Sequence, residues 1–401
     1  MIPHKTERLH ALDSLRAILM LLGLVLHTSL TYSSKTYGKG WPMHDPTSNN
    51  EFFHYLMGWI HMFRMPIFFV VAGFFGAMLF YERSPRKMLK NRINRIGLPF
   101  LVFLILLYPS ILFSFDYTVG VFEGNKNALA NALAPFSSIS FLQPEKTFHL
   151  WFLYYLGMIT LVSIGLGILF NKLPRFTNRI NKSFNWIFEK PLIRILFLTL
   201  VTFLTLLFMN TTWVATSTNL LPDQNTFIFY LVFYLVGWVL FKSKHLLNNL
   251  MRFDWLVMIL AMVFFNIKYF YRDLFNFELK MLLNALIVST LFFGITGLFL
   301  RYGSKHSARM RYISDASYWV YLIHLPLTII LPALIADWDL SPFIKFLIVL
   351  GTTTLICVIT YHYFVRATFI GKFLNGKKYA RKLSKIKEMK EFSKLKPVLD
   401  K

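Results

Sequence analysis

The chain has 401 residues, of which 43 are Lys or Arg and 19 are Asp or Glu, giving a formal net charge of +24. Hydrophobic residues make up 56% and charged residues 15%, whereas about 25% charged is usual for soluble proteins. This composition excludes disordered, collagen-like and disulfide-scaffold proteins. A nucleic-acid partner would account for the charge but not for the long apolar runs. The sequence therefore predicts an all-α integral membrane protein with many spans.

The apolar runs predict a bundle of about ten transmembrane helices, because a helix that crosses a bilayer needs about 20 mostly apolar residues. The seventh run is short and ends in polar and aromatic residues, so it is the least distinct. The predicted spans are residues 11–31, 57–80, 97–115, 149–170, 193–210, 225–241, 255–271, 280–300, 316–335 and 343–365.

Basic residues are distributed unequally between the two sides of this bundle. Segments on the side of the N-terminus hold 33 Lys and Arg residues, and the opposite segments hold eight. Because cytoplasmic loops are enriched in Lys and Arg, both termini are predicted to be cytoplasmic and the number of spans to be even. We interpret residues 1–370 as the membrane domain and residues 371–401 as a basic cytoplasmic tail that lies on anionic lipid.

The first span carries ionisable residues on one helix face. At 100° per residue, Asp13, Arg16, Met20, Gly23 and His27 share a stripe. Ionisable groups inside a span are costly and are candidates for function. The alternatives are that the first two residues anchor the helix at the interface, and that the histidine makes a hydrogen bond between helices.

The second span repeats this pattern at a similar depth. His61 and Arg64 are three residues apart, and Pro66 frees backbone groups just after them. We interpret both side chains as functional candidates. The alternative is that the histidine lies at the membrane interface and that the arginine extends outward to reach it.

The basic segment 83–95 precedes the third span and holds Arg92 and Arg95, which face the same way. Arginine binds phosphate well because its planar fork donates two parallel hydrogen bonds. The segment therefore predicts a site for a polyanionic substrate at the inner face. The alternative is ordinary topology signalling and contact with lipid headgroups.

Further candidates lie in later spans and in an outer loop. His149 opens the fourth span and His324 lies inside the ninth, where catalysis and core hydrogen bonding are both open. The loop 32–56 contributes Tyr32 and Trp41, whose rings are of the kind that stacks on sugars. The spacing of His, Cys, Asp and Glu predicts no metal site.

These motifs together resemble acyltransferase family 3, whose members are membrane enzymes that acylate carbohydrates and other molecules. The resemblance covers most of residues 8–366 and is greatest to the glucan succinyltransferase branch. One departure is Ala72, where the family often has Ser. The motifs are Arg16 followed by His27 (R-x10-H), Phe63 to Phe75 (FRMPIFFVVAGFF), Arg92 and Arg95 before Gly-Leu-Pro, His149 to Leu153 (HLWFL) and Tyr318 to His324 (YWVYLIH).

The resemblance implies an O-acyltransferase of the bacterial cytoplasmic (inner) membrane. It would move a succinyl or acetyl group from a cytoplasmic acyl-CoA to a hydroxyl of a periplasmic or cell-surface glycan, with no bound cofactor. His27 would be the general base or would carry the acyl group, and Arg64 would stabilise the oxyanion or hold a succinyl carboxylate. The other expected roles are catalysis for Asp13 and Arg16, and substrate binding for Arg92, Arg95, His61, His149, His324, Tyr32 and Trp41.

Two other classes of protein remain as alternatives at this stage. A secondary transporter of an anionic solute shares the intramembrane His and Arg residues, but the sequence shows no internal repeat of the kind that many transporters have. A non-catalytic scaffold or sensor explains the spans and leaves the stripe of Asp13, Arg16 and His27 unexplained.

Overall fold

The computed structural model describes residues 10–138, 143–213, 216–305 and 307–381. Over these ranges the chain is helical, with no β-strand and two isolated bridges. The α-helices are α1 (His10–Thr31), α2 (Glu51–Glu82), α3 (Pro85–Arg92), α4 (Leu98–Phe122), α5 (Ala128–Leu133), α6 (Trp151–Asn171), α7 (Pro174–Glu189), α8 (Pro191–Phe208), α9 (Gln224–Lys242), α10 (Asp254–Phe270), α11 (Phe277–Tyr302), α12 (Ala308–Leu334), α13 (Pro342–Thr360) and α14 (Phe369–Asn375).

Nine helical segments within the described ranges are long and apolar enough to cross a membrane. The seventh predicted span corresponds to α10, which has 17 residues and follows the 3-10 helix Lys244–Met251 at a bend of 68°. Counting this bent pair as one span gives ten. The predicted all-α, multi-spanning fold is therefore confirmed, and the least distinct run is the one whose helix counts as a span only together with the 3-10 helix before it.

Two predicted loops contain helices. The loop predicted at 116–148 begins inside α4 and also contains α5. The segment between the fourth and fifth predicted spans forms α7, on which Phe184 and Phe188 are buried while Trp186 is 52% exposed. An amphipathic helix of this kind, with basic residues on its polar face, is typical of the membrane interface.

The outer surface of the bundle is apolar along its length. On α8, Leu192, Leu196, Leu200 and Leu204 are spaced one turn apart, and each is more than half exposed. In water such a stripe would be unfavourable, whereas a bilayer requires it. The exposed leucines therefore agree with the chain being a multi-pass membrane protein.

The first helix lies in the centre of the bundle. It packs against α2, α11, α12 and α13, and its buried residues include small ones such as Ser14, Ala17 and Gly23. Small residues allow close approach of membrane helices, whose association depends on packing rather than on the hydrophobic effect. The part of the stripe that holds Gly23 and His27 thus faces other helices, whereas the Arg16 side chain is 39% exposed.

Two glycines bring α2 and α9 into backbone contact. A Cβ at Gly73 would overlap the carbonyl oxygen of Tyr234, and a Cβ at Gly237 would overlap the carbonyl oxygen of Val70. The contact is reciprocal, because each glycine faces the backbone of the other helix. This pairing fixes α2 firmly and leaves no room for a side chain at either glycine.

A buried ion pair fixes the loop between α1 and α2 to α13. The Asp45 carboxylate lies 3.2 Å from Nζ of Lys345, and the two side chains are 2% and 1% exposed. The other carboxylate oxygen accepts hydrogen bonds from the backbone N–H groups of Thr47 and Ser48. The loop is therefore held in one conformation over the end of α1.

Breaking this ion pair is expected to destabilise the protein strongly. Asp45→Ala leaves the Lys345 ammonium buried without a counter-charge, which costs about 3–5 kcal/mol when one partner of a buried pair is removed. Asp273→Ala is the control, since its pair with Arg272 is exposed (90% and 58%) and is worth at most ~1 kcal/mol. Thermal unfolding in detergent measures both, and equal melting temperatures for the two variants would contradict this prediction.

The first part of the predicted tail packs on the bundle. The predicted boundary at residue 370 falls inside α14, whose Leu374 is buried. Arg366 is fully buried and donates a hydrogen bond from Nε to the carbonyl oxygen of Ala380, at 2.8 Å. Residues 371–381 are therefore held against the membrane domain, and residues 382–401 of the predicted tail lie outside the described residues.

Candidate active site

A cavity lies inside the bundle close to the C-terminal end of α1. It is narrow, with a free volume of about 20 Å³, which is roughly enough for one water molecule. Six of its eleven lining residues are Leu, Met, Phe or Trp, and the other five are polar. The polar lining residues are His27, Arg64, His149, Tyr321 and His324, which come from four separate parts of the chain.

His27 is held between two rings. Its imidazole stacks on Trp41, with ring centroids 5.4 Å apart, and lies against His324 on another side at 5.3 Å. The indole N–H of Trp41 donates to Oγ1 of Thr31 at 3.2 Å, which fixes the ring. Nδ1 of His27 is buried and has no hydrogen-bond partner among the described residues. The imidazole is therefore oriented, and one of its nitrogens is free for a ligand.

The other two imidazoles have their tautomers fixed by backbone carbonyls. A carbonyl oxygen only accepts, so the ring nitrogen that contacts it must carry the proton. Nε2 of His149 donates to the Leu322 carbonyl at 2.9 Å, and Nδ1 of His324 donates to the Tyr321 carbonyl at 2.7 Å. The remaining nitrogens, Nδ1 of His149 and Nε2 of His324, are buried and unpartnered in the described structure. Each therefore presents a basic lone pair.

Arg64 brings a positive charge into this apolar cavity. Gly23 makes room for it, because a Cβ on that residue would lie 2.5 Å from Nη1 of the guanidinium. Within the described ranges no carboxylate pairs with Arg64, and its buried Nε lacks a hydrogen-bond partner. A desolvated guanidinium without a counter-charge is suited to bind an anion or a developing oxyanion.

Tyr321 is a site residue that the sequence analysis did not single out. Its hydroxyl donates to the carbonyl of His149 at 2.7 Å, so it ties the start of α6 to α12. The signal was present in the sequence, since Tyr321 lies three residues before His324 in a predicted helix and so shares its face.

His61 lies outside the cavity. It is one turn before Arg64 on α2, and its ring packs against Trp213 with centroids 4.7 Å apart. Tyr32 also lies outside, because it is fully buried and packs on Phe53. Trp41 is only 4% exposed, so neither of the two aromatic rings predicted to stack on sugars has an open face in the structure.

A second polar cluster lies toward the opposite end of α1. Asp13 and Arg16 form an ion pair at 3.5 Å, and Arg16 is about 16 Å from His27 along the helix. Arg16, Arg92 and Arg95 are within electrostatic range of one another. The structure thus brings Arg16 of α1 together with Arg92 and Arg95, which are distant from it in sequence.

The local structure explains how the two later arginines reach this cluster. Arg95 lies in a single π-helical turn, Ile93–Gly97, between α3 and α4, and such turns are often found at functional sites. It donates to the carbonyl of Asn375 at the end of α14. Nε and Nη2 of Arg92 are buried without a hydrogen-bond partner among the described residues, so this side chain retains donors for a ligand.

The fold and the cavity define a multi-pass membrane protein with a histidine- and arginine-containing centre inside its helix bundle. The model of acyltransferase family 3, described as "Acyltransferase domain", matches residues 9–362. The chain belongs to this family of acyltransferases. The membership confirms the resemblance drawn from the motifs, and it favours the enzyme over the transporter and the scaffold.

Relatives cover almost the whole chain. Glucans biosynthesis protein C of Escherichia coli O157:H7 is 30% identical over 394 residues, which is 94% of this chain and 97% of that protein. The proteins of the same name from Escherichia coli O81 (strain ED1a) and Shigella dysenteriae serotype 1 (strain Sd197) are each 29% identical, with the same coverage. No solved structure gives a significant match.

Proposed function

We propose that this acyltransferase moves a succinyl or acetyl group from a cytoplasmic acyl-CoA to a hydroxyl of a glucan on the other side of the bacterial inner membrane. The observation that carries the proposal is the cavity, where unpartnered imidazole nitrogens and an unpaired guanidinium face one another in an apolar bundle. The name of the relatives supports a glucan as the acceptor.

The arginine cluster would hold the donor. Coenzyme A is a polyanion with a long flexible arm that ends in the thioester. Arg16, Arg92 and Arg95 would bind its phosphates through charge-assisted hydrogen bonds. The arm would then extend along α1 for about 16 Å and place the thioester beside His27. The cavity has little free space, which favours a small acyl group such as succinyl or acetyl over a long chain.

Acyl transfer would use the polar groups around the cavity in the following order. The hydroxyl oxygen of the acceptor attacks the thioester carbonyl carbon while His27 takes the hydroxyl proton. Arg64 stabilises the negative charge that develops on the carbonyl oxygen. The C–S bond then breaks, the acyl group remains as an ester on the glucan, and the imidazolium returns its proton to the CoA thiolate.

The orientation follows from the charge asymmetry. With 33 basic residues on the side of the termini and eight opposite, the arginine cluster would face the cytoplasm and the cavity would lie nearer the outer face. Both termini would be cytoplasmic. The amphipathic α7 and the basic C-terminal residues would contact anionic lipid on the inner leaflet.

This orientation predicts which single cysteines an impermeant maleimide reaches in right-side-out spheroplasts. In a Cys357→Ala background, Thr36→Cys lies in the exposed part of the α1–α2 loop and should react. Lys87→Cys is exposed on α3 and should react only after permeabilisation, because the membrane separates it from the reagent. Reversed labelling would invert the arrangement and place the arginine cluster outside.

The proposed reaction is tested with purified protein in liposomes, labelled succinyl-CoA or acetyl-CoA, and a glucan. Label should appear in an alkali-labile ester on the glucan, with one CoA released for each ester formed. Transfer to protein or lipid in place of the glucan would overturn the assigned acceptor, and transfer from neither CoA ester would overturn the assigned donor.

A further inference from the structure

A second cavity opens in the loop between α8 and α9, at the same end of the bundle as the first. Its free volume is about 380 Å³. Its wall combines one aromatic ring with hydroxyl, amide and carboxylate groups. The residues that line it include Trp213, Asn219, Asp223 and Asn225.

Two contacts connect this cavity to the candidate active site. Trp213 packs on His61 at 4.7 Å between ring centroids, and His61 is one helical turn from Arg64. On the other side, the backbone N–H and the hydroxyl of Thr147 both donate to the carbonyl of Thr218, at 2.7 and 2.9 Å. His149 follows Thr147 by two residues, which is at most about 7 Å of chain. The two cavities are therefore neighbours in the fold, separated by His61 and by the segment that leads into His149.

The chemistry of the lining matches a neutral sugar. A pyranose ring has an apolar C–H face and a rim of hydroxyls, so it needs a flat aromatic surface and an edge of amides and carboxylates. Trp213 is half-buried and keeps part of its ring open, unlike Trp41. The carboxylate of Asp223 already accepts the backbone N–H of Thr226 at 2.7 Å, as the N-cap of α9. Nζ of Lys268 lies 5.8 Å from the centroid of the Trp213 ring, so one charge of each sign borders the site and an uncharged ligand is favoured.

We propose that this cavity is the acceptor subsite, where Trp213 stacks on a glucose unit of the glucan and Asn219, Asp223 and Asn225 bind its hydroxyls. The inference rests on the proposed function, because it assigns a binding position to the glucan that accepts the acyl group in that reaction. The bound chain would run from Trp213 toward His61 and Arg64, and a hydroxyl of a neighbouring unit would enter the first cavity next to His27.

The test measures binding and turnover separately. Calorimetry with the full-length protein in detergent measures the affinity for neutral glucose oligosaccharides of β-1,2, β-1,3, β-1,4 and β-1,6 linkage, without any donor. For the linkage that binds, Trp213→Ala should weaken binding and raise the acceptor KM about tenfold or more, with the donor KM unchanged. Trp213→Phe should restore most of the affinity, and Asn219→Ala should lower it with little effect on folding, since that side chain is exposed.

Trp255→Ala is the matched control, because this indole is also partly exposed but lies at the start of α10, where its N–H contacts Tyr302. It should leave oligosaccharide affinity as in the parent protein. Unchanged affinity and acceptor KM in both Trp213→Ala and Asn219→Ala would overturn the subsite, even if the parent transfers acyl groups to glucan. No binding of any oligosaccharide by the parent would overturn it too. Binding that depends on Trp213 without acyl transfer would keep the subsite and reject the proposed reaction.

Discussion

His27→Gln is expected to lower the rate of acyl transfer by about two to four orders of magnitude, the usual contribution of a positioned general base. Glutamine keeps a polar group of similar size against Trp41 but has no basic nitrogen. The effect should fall on kcat, because the imidazole acts when the hydroxyl proton is lost and does not hold either substrate. Single-turnover assays with labelled acyl-CoA and glucan measure it.

Three further histidine variants make this test specific. His245→Gln is the control, since this residue is exposed in the 3-10 helix after α9, and its turnover should equal that of the parent. His149→Gln and His324→Gln remove the two imidazoles with fixed tautomers. Near-normal turnover in His27→Gln together with a large loss in His324→Gln would transfer the role of base to His324.

Arg64→Lys is expected to lower kcat about 10²- to 10³-fold, as the loss of an oxyanion-stabilising donor does. Lysine keeps the charge but not the planar fork, and its compact ammonium cannot occupy the space beside Gly23 in the same way. The donor KM should change little, because Arg64 lies in the cavity while the CoA phosphates would bind about 16 Å away, near Arg16.

Arg92→Gln serves as the comparison, since it should show the opposite kinetic pattern. Its buried guanidinium keeps two donors without partners among the described residues. Each charge-assisted contact that it makes to a phosphate would be worth about 1.5–3 kcal/mol, so the donor KM should rise tenfold to a hundredfold with a smaller change in kcat. If the two variants changed the same kinetic parameter, the separation of donor binding from chemistry would be wrong.

Helical periodicity was sufficient to predict the position of much of the candidate site. Because α1 is a regular helix in the centre of the bundle, the angle per residue alone placed Arg16, Gly23 and His27 on one face. The second span was predicted to carry Arg64 at a membrane depth similar to that of His27, and both residues line the cavity. Periodicity could not predict which helices pack against this face of α1, because that depends on contacts between segments that are distant in sequence.

Loop structure was the part that periodicity could not predict. Tyr32 and Trp41 look alike in sequence as aromatic residues of an outer loop. Their burial depends on the buried pair of Asp45 and Lys345, whose members are 300 residues apart. Arg95 is a similar case, because its hydrogen bond to Asn375 comes from a segment interpreted as a separate tail. Contacts of such long sequence separation leave no local signal.

The reciprocal backbone contact of α2 and α9 has an evolutionary consequence. Gly73 and Gly237 each occupy a place where any side chain would strike the other helix. A single substitution at either position therefore pushes two helices apart, and no change at the partner glycine can reverse it. Since α2 carries Arg64, such a change would also shift the charge in the cavity. We therefore expect related proteins to keep both glycines, while the lipid-facing leucines of the bundle are free to be replaced by other apolar residues.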